Sequence, residues 1–238
     1  MRILFYLFLL CCLGGSGWAA WQIFGEHGID EDPVLKALKR QVAQLETRIE
    51  KRDVGAMIEL GWILAKPESS LSDPERALSL FRQAAQSGNA NAQYAVGWAY
   101  ANGRGAQIDY GKAAEWYRVA AAAGNQRDAQ FALGELYFNG RGVVHDYDQA
   151  IRYYRAAALQ GHPIAQHLMG VMHVEGWGVK RDLVEAYKWL LLASRQADAV
   201  KRYNAAFDPA AEKVKVLVKL NRTQIRMAED AAAKVSKR

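Results

Sequence analysis

The sequence contains very little cysteine. Of its 238 residues only two are cysteines, and these are adjacent, at Cys11 and Cys12, inside the first apolar run. The chain after residue 12 therefore offers neither a disulfide nor a thiolate metal site. Because 51% of the residues are hydrophobic, we expect the folded part to be held together by a packed core alone.

The sequence also lacks the short patterns of catalytic sites. It has no Gly-x-Ser-x-Gly nucleophile elbow, and no paired carboxylates stand beside a cleft signature. Three histidines, His162, His167 and His173, lie close together, but spacings of five and six residues place them on no single helix face. We therefore expect no catalytic residue, no metal site, no cofactor and no enzymatic activity.

Excess charge is confined to the end of the chain. The formal net charge of +6 comes entirely from residues 199–238. Their ten cations and four acids are Lys201, Arg202, Lys213, Lys215, Lys219, Arg222, Arg226, Lys234, Lys237 and Arg238 against Asp208, Glu212, Glu229 and Asp230. This tail is interpreted as the solvated face of a cap, or as a contact for anionic lipid or an acidic partner. Nucleic acid is disfavoured, because the tail has few aromatic residues and is predicted to lie outside the cytoplasm.

No charged residue stands between Arg2 and Glu26. Residues 1–25 are therefore predicted to be a signal peptide or a transmembrane anchor. Gly17 and Ala19 suit the minus-three and minus-one positions of a cleavage site, whereas aromatic residues at Trp18, Trp21 and Phe24 favour retention at the membrane interface. In both cases the rest of the chain is expected outside the cytoplasm: membrane-anchored if the segment is kept, or secreted to the periplasm of a bacterium if it is cleaved.

Residues 26–52 are predicted to form an acidic linker followed by an amphipathic helix. The apolar residues recur at alternating three- and four-residue steps, at Leu35, Leu38, Val42, Leu45 and Ile49. This stripe is too short for a clear coiled coil. It could dock against the first repeat or mediate dimerisation, so the oligomeric state stays open.

The body of the chain repeats itself. Glycines recur at Gly61, Gly97, Gly134 and Gly170, at intervals of 36, 37 and 36 residues. The same intervals separate Ala77, Ala113, Ala150 and Ala186, and separate Phe81, Tyr117, Tyr154 and Leu190. Each unit shows two stretches of helical periodicity, with N-cap signals before the second at Asp73, Asp109, Asp146 and Asp182 and glycine stops at Gly88, Gly124 and Gly161.

One stretch of these units, "AQFALGELYFNGRGVVHDYDQAIRYYRAAALQG", resembles the Sel1-like repeat, a relative of the tetratricopeptide repeat. The resemblance covers residues 53–198 and implies an all-α fold, a right-handed α-solenoid of about four helix-turn-helix repeats. We add capping helices over the basic residues 199–238, with Val214, Leu217, Ile225 and Ala228 covering the last repeat, and an N-terminal hydrophobic helix. The first unit lacks the Gly-x-Gly loop and the fourth lacks its final glycine, as terminal repeats often do. Some family members carry a disulfide in each repeat, and this chain has none.

The corners of the units read "NGRG" at 102–105 and 139–142 and "EGWG" at 175–178. Alone, such a loop resembles a phosphate-binding loop, but no Lys-Ser or Lys-Thr follows and no strand precedes it. The recurrence predicts a turn inside a helix hairpin, with Arg104 and Arg141 exposed at two corners.

The resemblance implies an adaptor, and the repeat register predicts where a partner would bind. Residues three before and one after each repeat glycine lie four apart on one helix face. They form a largely aromatic set: Ile58, Trp62, Tyr94, Trp98, Phe131, Glu135, His167 and Val171. Aromatic side chains are typical of interface hot spots. The alternatives are packing against the adjacent helix, or cover by the N-terminal amphipathic helix.

The sequence thus predicts a non-enzymatic adaptor or scaffold that binds a protein or peptide partner in the cell envelope through an aromatic concave groove. It would contact the membrane through its N-terminal helix if this is uncleaved, and it would not bind nucleic acid. The alternatives are binding of a cell-wall glycan, with the tryptophans as stacking platforms, and inhibition of an envelope enzyme.

Overall fold

The computed structural model describes residues 32–124 and 126–236. The signal or anchor predicted at residues 1–25 lies outside the described residues, as does the start of the predicted linker. Within the part that is described, no helix combines the length and the hydropathy needed to cross a membrane. The described residues divide into two units, with the boundary between Arg48 and Ile49.

The predicted all-α fold is confirmed, and the described residues contain twelve helices and no strand. In chain order these are α1 Pro33–Glu50, α2 Val54–Ala65, α3 Pro74–Ala85, α4 Ala90–Asn102, α5 Tyr110–Gly124, α6 Arg127–Asn139, α7 Tyr147–Leu159, α8 Pro163–Glu175, α9 Leu183–Ser194, α10 Ala197–Tyr203, α11 Pro209–Leu217 and α12 Arg222–Ser236. Helix α1 carries the amphipathic stripe predicted for residues 26–52, and whether that stripe docks or dimerises stays a prediction.

Four helix pairs build the solenoid: α2 with α3, α4 with α5, α6 with α7, and α8 with α9. In each pair the repeat glycine faces a large side chain on the second helix, from the series Phe81, Tyr117, Tyr154 and Leu190. A Cβ atom on Gly97 would lie 2.6 Å from the Tyr117 ring, and one on Gly134 would lie 2.8 Å from the Tyr154 ring. The glycine therefore lets a bulky side chain cross close to the first helix, which is why the two series repeat together.

The second helix of each pair begins where its aspartate predicts. Asp73, Asp146 and Asp182 each accept a hydrogen bond of 3.0 Å from the backbone N–H three residues on. These carboxylates satisfy N–H groups that have no partner inside the helix.

The corners are packed turns. Both glycines of each corner have positive φ angles, between 63° and 79°. A Cβ on Gly105 would collide with the backbone of Pro74 at the start of α3, and one on Gly142 would collide with Tyr110 at the start of α5. Each of these corners therefore rests on the second helix of the preceding unit. The glycines serve the turn and this close contact.

Two helices, α11 and α12, cap the last repeat as predicted for the C-terminal region. Val216 and Ala228 are buried against Tyr187 and Leu190, and Leu217 and Ile225 pack beside them. The prediction for Val214 was wrong, because its side chain is 53% exposed. Two residues apart on a helix means a rotation of about 200°, so burying Val216 turns Val214 to solvent.

Candidate functional site

The eight residues predicted to bind a partner lie on the first helices of the four pairs, and we call the surface that they form the groove. Phe131 and His167 are buried, with 9% and 2% exposure. The other six are half-buried: Ile58, Trp62, Tyr94, Trp98, Glu135 and Val171. The eight positions share a register, but their surroundings differ between the first two units and the last two.

The half of the groove that belongs to units one and two is an aromatic cluster, which we call the open half. The rings of Trp62 and Trp98 meet edge to face, with centroids 4.8 Å apart. Trp62 also lies 5.0 Å from Phe81 and 6.4 Å from Tyr94. Because Trp62 contacts both units, the open half is one continuous aromatic surface.

A cavity of about 520 Å³ adjoins this cluster. Four residues of the predicted set line it: Tyr94, Trp98, Phe131 and Glu135. Residues that the sequence did not single out complete the wall, among them Tyr110 and Asp128. Tyr94 stacks on Tyr117 at 5.7 Å, and burial, helped by the charge of Asp128, raises the pKa of Tyr94 to about 12. Aromatic rings thus form much of the cavity wall, and the charged side chains of Asp128, Glu135 and Arg141 also line it.

Arg141 stands at the rim of this cavity. It is exposed, and its guanidinium lies 5.7 Å from the centre of the Tyr110 ring. Arg104, at the equivalent corner, behaves differently: it is half-buried, and its Nε donates to the carbonyl of Ala65 at 3.1 Å. The prediction of two exposed corner arginines is therefore correct for Arg141 and wrong for Arg104, which caps the end of α2.

The half of the groove that belongs to units three and four is covered by the chain itself, and we call it the covered half. The cover is residues 197–208, which we call the strap; it contains α10 and leads into α11. Tyr203 sets its ring edge to face on Phe131 at 5.7 Å, and Phe207 lies 4.7 Å from the His167 ring. Val200 of the strap is completely buried. The space left under the strap is a cavity of about 190 Å³.

Glu135 ties the strap to the repeat. One carboxylate oxygen accepts a hydrogen bond from the Tyr203 hydroxyl at 2.9 Å, and the other accepts from the Tyr154 hydroxyl. Burial first, and then the charge of Glu135, raises the pKa of Tyr203. Both carboxylate oxygens therefore hold neutral phenols, so Glu135 has a structural partner on each side.

His162 lies beneath the junction of the two halves. Its ring stacks on Phe131 at 4.3 Å, and its Nδ1 accepts a hydrogen bond from the N–H of Ala165 at 3.2 Å, capping α8. Its Nε2 lies 3.6 Å from the carboxylate of Asp128. Burial lowers the pKa of His162 to about 4, although the charge of Asp128 opposes the shift. Burial also lowers the pKa values of His167 and His173. All three histidines are thus neutral at pH 7.

Within the described residues no group of three or more His, Cys, Asp or Glu side chains could hold a metal ion.

Sequence reasoning missed the two aromatic residues of the strap as groove residues. A signal was present, since Tyr203 and Phe207 are four residues apart and are the aromatic residues of an otherwise basic tail. Nothing in the sequence, however, assigned them to the groove.

Comparison with known proteins identifies the repeat. The family model for the Sel1 repeat matches four times, at residues 54–89, 90–125, 127–162 and 163–198, which is more than half of the chain. The search of curated proteins found no match.

Several solved structures resemble the chain. One is c5321, described as a protective antigen present in uropathogenic Escherichia coli strains and displaying an SLR fold. The two chains are 37% identical and superpose with a TM-score of 0.60, and the match covers 65% of this chain and 33% of that chain. The chain therefore spans about a third of the length of that antigen. Another is a Sel1 repeat protein from Oxalobacter formigenes, with 26% identity, a TM-score of 0.63, and 81% of this chain and 78% of that chain covered.

Proposed function

Because the chain belongs to the Sel1 repeat family, we propose that it is an adaptor that holds a protein partner in the open half of its groove. Sel1 repeat proteins generally mediate protein–protein interactions. The observation that carries the proposal is the aromatic surface of Trp62, Tyr94 and Trp98, which the chain's own strap leaves uncovered next to a cavity of about 520 Å³.

The residue types of this surface favour binding. Tryptophan and tyrosine supply large contact areas with few rotatable bonds, and they dominate measured binding hot spots. The three rings are half-buried, and the apolar surface that they still expose is contiguous, which is typical of an interaction site. Arg141 adds donors at the rim, where a charged side chain gives orientation more than affinity.

We also propose that the protein is not an enzyme. The Sel1 repeat scaffold is generally non-enzymatic. In this chain the titratable groups near the cavity have structural partners: Glu135 holds two tyrosine hydroxyls, and His162 caps a helix. Such fixed partners suit a rigid binding surface.

We further propose that the repeats lie outside the cytoplasm, on the basis of the uncharged and largely apolar residues 3–25. Cell fractionation with mass spectrometry of the intact protein tests this. A mass lacking residues 1–19 supports a cleaved signal, and a full mass in the membrane fraction supports an anchor. Recovery of the full-length protein from the cytosolic fraction contradicts the proposed location.

The binding proposal is tested with the tagged full chain expressed in its native cells. We expect proteins that crosslink to the wild type to be lost from the Tyr94→Ala, Trp98→Ala double variant. The matched control is Trp177→Ala, since Trp177 is a tryptophan that is 58% exposed at the third corner and does not line the cavity at the open half. Equal capture by all three proteins contradicts the proposal. The glycan alternative is supported instead if no protein crosslinks, the chain is retained on cell-wall material, and soluble cell-wall sugar abolishes this retention.

A further inference from the structure

The strap shows how a peptide segment can occupy this groove. Tyr203 lies on the two groove positions of unit three, against Phe131 and Glu135, and Phe207 lies on the first groove position of unit four, against His167. Two aromatic side chains four residues apart thus contact two successive repeats. The spacing of the side chains matches the spacing of the units.

The open half repeats this arrangement two units earlier. By the repeat register, Ile58 and Trp62 stand where Phe131 and Glu135 stand, and Tyr94 stands where His167 stands. The surface is also continuous, since Tyr203 lines both the cavity of the open half and the small cavity under the strap. A segment that follows the same path would therefore continue the groove that the strap fills.

One chemical difference separates the two halves. The carboxylate of Glu135, which accepts the Tyr203 hydroxyl, is replaced by the ring of Trp62 in unit one and of Trp98 in unit two. The open half therefore has no carboxylate at this register to receive a hydroxyl. An apolar ring fits there at least as well as a phenol, because a buried hydroxyl without a partner would be unfavourable.

We propose that the open half binds a partner segment that presents two aromatic or large apolar side chains four residues apart, in the way that the strap presents Tyr203 and Phe207. This inference rests on the proposed function and specifies the chemistry of the partner. The first side chain would lie over Trp62, and the second would lie at Tyr94 and Trp98.

The probe is a fluorescein-labelled synthetic peptide with the strap sequence of residues 197–208, added to the purified full chain in mild detergent and followed by fluorescence anisotropy. We expect saturable binding that weakens roughly tenfold or more in Trp98→Ala, as for the loss of a hot spot. A peptide with one alanine inserted between the two aromatic residues should bind roughly tenfold more weakly as well. A peptide carrying Tyr203→Phe should bind unchanged, because the open half offers no carboxylate at this register.

Three results would overturn the inference. The first is no saturable binding, and the second is that the peptide with the inserted alanine binds as tightly as the original peptide. The third is that the peptide loses binding to the Glu135→Gln protein and keeps its binding to the Trp98→Ala protein. The last result would mean that the peptide had exchanged with the strap in the covered half. The crosslinking experiment separates this failure from that of the proposed function. If the Tyr94→Ala, Trp98→Ala double variant still loses its crosslinked protein partner, only the proposed spacing is wrong. If the double variant keeps that partner, both the spacing and the proposed function are wrong.

Discussion

The open and covered halves of the groove use the same positions of the same repeat, but these positions have different surroundings. In units one and two, Ile58 and Tyr94 are half-buried, and Trp62 and Trp98 contact each other. In units three and four, the equivalent Phe131 and His167 are buried under two aromatic residues of the strap, and the cavity left there is about 190 Å³. The cavity of about 520 Å³ lies between units two and three. A repeat position therefore has no fixed role. The segment that follows the array covers half of the groove and makes it part of the core.

The largest expected effect separates the halves by stability. Phe131→Ala removes a ring that packs against Tyr154, His162 and Tyr203, and we expect a loss of about 3–5 kcal/mol in the free energy of unfolding. Trp98→Ala removes a half-buried ring, and we expect about 1–2 kcal/mol. Urea unfolding followed by circular dichroism measures both. Equal losses would contradict the distinction between a covered half that belongs to the core and an open half that does not.

The second prediction concerns pH. The folded state keeps His162 neutral, with a pKa of about 4, against 6.5 for an unperturbed histidine. Below pH 6.5 the unfolded state takes up the proton first, so the stability from this group is complete above pH 6.5 and is lost as pH falls toward 4. Between pH 7 and pH 4.5 we expect His162 to account for a loss of about 2 kcal/mol, measured by urea unfolding at several pH values.

The control for that prediction is His162→Asn. Asn89 occupies the equivalent position, and its Oδ1 accepts from the N–H groups of Asn91 and Ala92, so asparagine retains the cap and cannot be protonated. The variant should lose less stability than the wild type over the same pH range. An unchanged pH slope would show that other groups, such as His167 and His173, produce the acid sensitivity.

A third, smaller effect tests the attachment of the strap. Tyr203→Phe removes the hydroxyl that donates to Glu135 at 2.9 Å and keeps the ring on Phe131. We expect a loss of about 1 kcal/mol, and faster hydrogen exchange of the backbone amides in residues 197–207 with no change in the open half. Exchange that stays as slow as in the wild type would mean that ring packing alone holds the strap.

The smallest expected effect on stability is at the rim of the open half. Arg141→Ala removes an exposed cation whose contact is with the Tyr110 ring. We expect the free energy of unfolding, measured by urea unfolding, to change by less than about 0.5 kcal/mol. Arg104→Ala is the comparison, because Arg104 donates to the Ala65 carbonyl and its loss should cost about 1 kcal/mol. A larger loss for Arg141 would show that its corner supports the fold.

Much of the fold could be predicted from the sequence because local chemistry specifies it. The aspartate caps, the corner glycines and the paired glycine and aromatic series each act within one unit or between adjacent units, so their spacing is visible as a repeat. Helix α10 was missed. Its seven residues carry no side-chain cap hydrogen bond at the N-terminus, and its place depends on contacts with residues far away in the chain.

The candidate site was predictable only in its positions. The register made Phe131 and His167 equivalent to Ile58 and Tyr94, and it made Glu135 and Val171 equivalent to Trp62 and Trp98. It could not tell which of these residues the chain would cover. That difference arises from Tyr203 and Phe207, and the bond from Tyr203 to Glu135 joins residues 68 apart in the chain.

By itself the sequence determined the helix pairs, the corners and the aromatic series, because contacts that recur between neighbouring units require the same residue types at a fixed spacing. Only the tertiary structure decided which half of the groove is covered. The strap occurs once and contacts residues of earlier units, and a single long-range contact leaves no repeating pattern in the chain.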